Sequence, residues 1–112
     1  MKVSAFGRLL RIFVDENDRW HGQPLYTAIV DVLRRNGAAG ATVFRGVEGF
    51  GAHRELHQAS VFSLRPNLPI LIEVVDDEER IDALVPLIGE MVSEGLLTLE
   101  RVEYTRYTRD PS

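Results

Sequence analysis

RLLRIFVD, residues 8–15, sets Leu10, Ile12 and Val14 on one side and Leu9, Arg11 and Phe13 on the other. That period of two belongs to an extended strand, not a helix. The polar ENDRWHGQ (residues 16–23) follows as a turn. Pro24 can then occupy the first turn of a helix, where its missing N–H is harmless. Leu25, Ile29, Val32 and Leu33 share one face of that helix, and Asn36-Gly37 offers a left-handed stop. Thr42–Gly46 reads as a second strand and Ala59–Leu64 as a third, separated by a glycine-rich excursion. Pro69–Val75 (PILIEVV) is short and rich in β-branched residues, which favours a buried fourth strand. Asp76 and Asp77 can cap a second helix, whose positive end suits Glu78 and Glu79. Ile81, Leu84, Val85, Ile88, Met91 and Val92 line its apolar face, Pro86 is expected to kink it, and Gly95 to end it. A long last strand, Leu97–Tyr107, completes the chain.

These two helices and five strand segments, one segment more than the plan's four, fit the split βαβ plan of strand, helix, strand, strand, helix, strand: an α+β, ferredoxin-like βαββαβ fold with an antiparallel four-stranded sheet and two helices on one face. The length of 112 residues suits one domain, residues 1–112. With 45% hydrophobic and 27% charged residues the chain should build an ordinary core. There is no cysteine, which removes disulfides, thiolate zinc sites and cysteine nucleophiles. The net charge of −4, with both signs interspersed, argues against a nucleic-acid partner. No stretch is apolar for long enough to insert in a membrane, and a cytoplasmic location is expected. Twelve of the thirteen basic residues are arginine, the side chain suited to bidentate contact with phosphate or carboxylate.

The excursion GVEGFGAHRELHQ, residues 46–58, is longer than a hairpin needs. Its glycines would let bare backbone N–H groups approach an anion. His53 and His57, four apart, are the candidate metal ligands. His21, beside Asp18 and Arg19, has no serine, cysteine or paired carboxylate at a catalytic spacing, and Trp20 is expected to anchor that turn by packing. No catalytic residue is assigned. Glu73, alone among apolar neighbours in the fourth strand, requires either a cleft or an arginine such as Arg11 or Arg45.

Gly40-Ala41-Thr42-Val43 followed by Val47-Glu48-Gly49-Phe50-Gly51 resembles the second strand and T-loop base of PII signalling proteins. Leu9–Phe13 (LLRIF), Trp20–Tyr26 (WHGQPLY) and the run Gly40–Gly51 together are similar to a family of PII-like proteins, and the resemblance extends from Arg8 to Arg109. It implies a homotrimer with an adenine nucleotide in clefts between subunits, and a T-loop offered to a membrane transporter or an enzyme. It also implies ligand-binding roles for Gly49, Phe50 and Gly51, and for Arg101, Arg106 and Arg109 of the C-terminal segment. The glycine- and lysine-rich loop that holds triphosphate in PII proteins is replaced here by Ser93-Glu94-Gly95-Leu96-Leu97-Thr98, which favours a smaller anion. The loop at 47–58 is shorter than a T-loop and has no tyrosine to modify. The CutA-like relatives of PII supply the alternative, a metal-binding trimer using His53 and His57.

Overall fold

The computed structural model describes residues 1–51, 56–58 and 67–109. Six principal elements follow one another: β1 (Lys2–Asp15), α1 (Leu25–Arg35), β2 (Thr42–Arg45), β3 (Pro69–Asp76), α2 (Glu78–Met91) and β4 (Leu96–Tyr107). The sheet has four strands in the order β2-β3-β1-β4, every neighbouring pair antiparallel. This is the expected βαββαβ plan. Of the five segments that read as strands, Thr42–Arg45 and Pro69–Asp76 serve as its two middle strands in sequence, whereas Ala59–Leu64 lies outside the described residues.

The alternation in β1 does what a period of two requires. Leu10, Ile12 and Val14 are buried, and they share their side of the sheet with Ile70, Ile72 and Val74 of β3. Leu25, Ala28, Ile29 and Leu33 of α1 and Ile81, Leu84, Ile88 and Met91 of α2 cover that side, forming one core. Each fully buried aliphatic side chain here contributes roughly 1.5–3 kcal/mol relative to exposure. Asp77 caps α2, its side chain accepting a 2.7 Å hydrogen bond from the Arg80 amide. The helix runs unbroken through Pro86, which stands on its exposed outer side where an orphaned carbonyl can be met by water. Gly37, at φ +86°, ends α1, and the Arg80 guanidinium lies over its bare Cα while donating to the Asn36 carbonyl at 3.1 Å.

Among the described residues no helix covers the opposite face of the sheet. At its centre Arg11 donates to Glu73 of β3 and to Glu100 of β4, both at 2.8 Å. The hydrogen bond to Glu73 above all, with the two carboxylate charges added and only partly offset by desolvation, raises the Arg11 pKa above its ordinary value. Glu73 thus has an arginine partner, which its place in an apolar strand requires. Around this network lie Leu9, Phe13, Phe44, Leu71 and Val102, assigned to the same face by cross-strand register.

β4 matches its expected span to within one residue, whereas β1 exceeds its own by Lys2–Gly7. Residues 2–7 pair with 102–107 alone, because β3 begins its pairing with β1 at Arg8. At the root of this ribbon Gly7 is fully enclosed: a Cβ there would stand 2.2 Å from the Asp76 carbonyl oxygen and 2.7 Å from a ring carbon of Tyr104. Because the first obstacle is backbone, Gly7→Ala should destabilise the protein by about 1–3 kcal/mol. Urea unfolding followed by circular dichroism measures it, and an unchanged midpoint would contradict this account of the close approach.

Candidate functional site

The excursion between β2 and β3 is fixed at its root by a set of short polar contacts. The Gly46 amide donates to the Pro69 carbonyl at 2.7 Å, and the Glu16 amide donates to the Leu68 carbonyl at 2.8 Å. The Glu16 carboxylate reaches both ends of the excursion: it pairs with Arg45 at 2.9 Å on the way in and accepts from the Leu68 amide at 3.3 Å on the way out. Asn67 closes the arrangement by accepting from the Asn17 amide at 2.9 Å. Glu16 belongs to the turn after β1, so the central strand itself positions the loop.

Glycine is explained differently at each position of the expected anion-binding run. At Gly46 a Cβ would meet the Pro69 ring at 2.7 Å, and at Gly49 at 3.1 Å, so both serve close packing against Pro69. Gly51 has open space around it. A backbone nest needs alternation into the left-handed region, and among the described residues positive φ occurs only at His21, Gly22 and Gly37. The expected nest at Gly49 and Gly51 is thus absent from this conformation. Glu48–Gly49 instead pairs with His57–Gln58 as a two-residue ladder, leaving Phe50 exposed beyond it.

His53 lies outside the described residues, and for His57 only the strand pairing with Gly49 is described. Among the described residues no group of three or more His, Asp or Glu side chains is placed to hold a metal ion. His21 is accounted for by its turn. Trp20 pairs with Gln23, and the two residues between them have φ of 45° and 83°, the sign pattern of a type I′ hairpin turn. Such a turn favours glycine at both positions. The stacking of the imidazole on the Trp20 ring, 4.3 Å between centroids and 10° from parallel, holds His21 in its unusual conformation. Trp20 itself packs against the core, as expected of an anchor.

The three C-terminal arginines are not equivalent. Arg101 is five residues from Arg106 on one strand, an odd separation that sends their side chains to opposite faces. Register agrees: Arg101 opposes Arg8, whose side chain reaches Glu78 and Asp82 on the helical side, whereas Arg106 donates to the Val75 carbonyl at 3.2 Å and lies 5.2 Å from the Tyr104 ring centre. Arg101 is exposed and has no ion pair or hydrogen bond among the described residues, and Arg109 lies exposed beyond the end of β4. Within one protomer these arginines and Gly49–Gly51 stand on opposite edges of the sheet. Three strand spacings, about 14 Å, separate the two edges.

The family described as "DUF190: Uncharacterized ACR, COG1993" matches residues 7–104. The chain belongs to this family. A UPF0166 protein of Aquifex aeolicus is 38% identical over 96 residues, covering 86% of this chain and 90% of its own length. A UPF0166 protein of Methanocaldococcus jannaschii is 37% identical over 93 residues, covering 82% and 85%. Among solved structures, CPII, a nitrogen regulatory PII-like protein from Thiomonas intermedia bound to ADP, AMP and bicarbonate, superimposes with a TM-score of 0.70 at 17% identity, covering 93% of this chain and 92% of that one. A PII-like signalling protein of Thermus thermophilus gives 0.65 at 18% identity, with 90% and 91% covered. The DUF190 chain thus has the fold of PII-like proteins.

If Glu16 holds the loop root as its contacts indicate, Glu16→Ala should speed hydrogen exchange at the Leu68 and Gly46 amides while leaving the Ile12 and Ile72 amides protected. The cost in stability should be about 1–2 kcal/mol. Exchange that is equal to wild type at Leu68 would show that the carboxylate does not secure the loop.

Proposed function

We propose that the protein is a PII-like regulator rather than an enzyme, acting in the cytoplasm as a homotrimer. In this reading an adenine nucleotide or similar small anion binds in clefts between subunits, and the 47–58 loop reports the occupancy to a membrane transporter or an enzyme. The observation that carries the reading is the separation of the candidate residues to opposite edges of the sheet. Gly49–Gly51 of one copy and the arginines of another can meet across an interface, whereas within a single copy they cannot. The face of the sheet opposite α1 and α2, with apolar side chains around the Arg11 network, offers surface for such assembly. The ADP and AMP held by the CPII structure support the choice of ligand.

Arg101 is the stronger anion-binding candidate of the pair. Arg106 already donates to a backbone carbonyl and would have to surrender that bond. The root contacts of Glu16, Arg45 and Leu68 suit a reporting loop, because a change at Gly49–Gly51 is then referred to a fixed frame. For the loop to act as a switch, the ligand must bind its two arrangements with different affinity.

Isothermal titration of the full chain with ATP, ADP, AMP and cyclic AMP, alongside light scattering, tests the reading. Saturable binding by a trimer is expected, with ADP or AMP at least as tight as ATP. Arg101→Ala should weaken it by about tenfold or more, the loss of a charge-assisted contact, and Arg106→Ala by less. Binding of none of the four nucleotides, or equal affinity in Arg101→Ala, would overturn the assignment.

A further inference from the structure

The two-stranded ribbon formed by residues 2–7 and 102–107 is an arm that no third strand or helix among the described residues pairs with or covers, tied back to β3 by the Arg106 contact with the Val75 carbonyl. Six residue pairs carry it about 20 Å beyond the last pairing of β3. Its tip is tied by the Thr108 amide donating to the Met1 carbonyl at 2.9 Å, and its middle by the Ser4 and Thr105 hydroxyls at 3.0 Å. A two-stranded ribbon is at best marginally stable in water when no layer covers it. This one nevertheless presents large apolar groups: Phe6 is 79% exposed and Tyr107 73%, with Val3 exposed on the opposite face.

Its charge is equally one-sided. Residues 1–7 and 101–109 hold Lys2, Arg101, Arg106 and Arg109 against Glu103 alone, a net +3 in a chain of net −4, while Arg8 at the root is already paired with Glu78 and Asp82. Residues 73–100 hold nine acids and one base, but Glu73 and Glu100 pair with Arg11 on the other face of the sheet, Asp76 is buried, and Glu78 and Asp82 pair with Arg8 of the same chain. On α2, Glu79 and Glu90 are exposed, as is Glu78 beside the Arg8 contact.

We propose that the arm is a docking element for a second copy of this chain, its cationic, aromatic ribbon lying against the α2 side of the neighbour, where Glu79 and Glu90 are exposed. The contact is heterologous: arm and receiving surface are different parts of the same molecule. Repeated around an axis, such a contact closes a ring. The inference rests on the assembly proposed above and names the surface that makes it. Coulomb attraction orients the encounter, and burial of Phe6 and Tyr107 supplies the apolar contact that holds it.

Sedimentation equilibrium of the full chain and of the double variant Phe6→Ser/Tyr107→Ser tests it. Wild type is expected at a multiple of 12.6 kDa, and the variant at 12.6 kDa with an unchanged far-ultraviolet circular dichroism spectrum. A variant that keeps the wild-type mass overturns the arm as docking element and leaves the assembly reading standing; a monomeric wild type overturns both. Lys2→Glu, a change at an exposed side chain that spares the core, provides the second variant. It should weaken association about threefold or more at low salt, with the difference shrinking as salt is raised. Equal association of Lys2→Glu and wild type at low salt would overturn the charge complementarity.

Discussion

Everything in this protein depends on the register of β1 between β3 and β4. Pairing on both sides fixes which residues of RLLRIFVD face the helices, and a slip of one residue would exchange Leu10, Ile12 and Val14 for Leu9, Arg11 and Phe13. An arginine would then enter the core and three aliphatic side chains would leave it. The Arg11 network reinforces the same choice from the other side. Only in the observed register does one guanidinium lie between Glu73 and Glu100 on the two flanking strands. Gly7 sets a further limit, because only a residue without a side chain fits between the Asp76 carbonyl and the Tyr104 ring.

That register also places the candidate ligand residues. Strand order puts β2 and the loop root at one edge and β4 at the other, so the fold distributes the two halves of a site instead of gathering them. The polar contacts of Glu16 connect the central strand to the loop root, which makes the loop's starting geometry a property of the sheet. Gly46 and Gly49 work at that root as packing residues against Pro69, a role distinct from approach to an anion.

The strands and helices were legible because their periodicity is strong and their ends are marked. Alternation exposed β1, Asp77 and Gly37 marked helix boundaries, and Glu73 called for a cleft or an arginine, of which Arg11 is the one that pairs with it. Pro86 misled in part: a proline on a solvent-facing turn need not interrupt a helix that buries its other side. The length of β1 was hidden, since Lys2–Gly7 has no clean alternation and its pairing partner lies about a hundred residues away. Glu16 was hidden for a related reason. A carboxylate in a polar turn looks the same in sequence whether it is solvated or holds two distant segments together. The opposite orientations of Arg101 and Arg106 could have been read from their odd spacing, once Leu97–Tyr107 had been assigned as a strand.

The pairing of β1 with β4 has a bearing on how the chain reaches its fold. Ser4 and Thr105, which touch across the ribbon, are 101 positions apart, and β1 is a strand on which two of the sheet's three ladders converge. The β1–β3 ladder and its two helices can assemble from residues 2–91, but one side of the central strand stays unpaired until Leu96–Tyr107 has joined it. Contacts of such sequence separation slow folding, because the loop must close before the contacts stabilise it. During that interval Leu9, Phe13 and the bare edge of β1 are open to other chains, which makes this edge the point at which folding and aggregation compete.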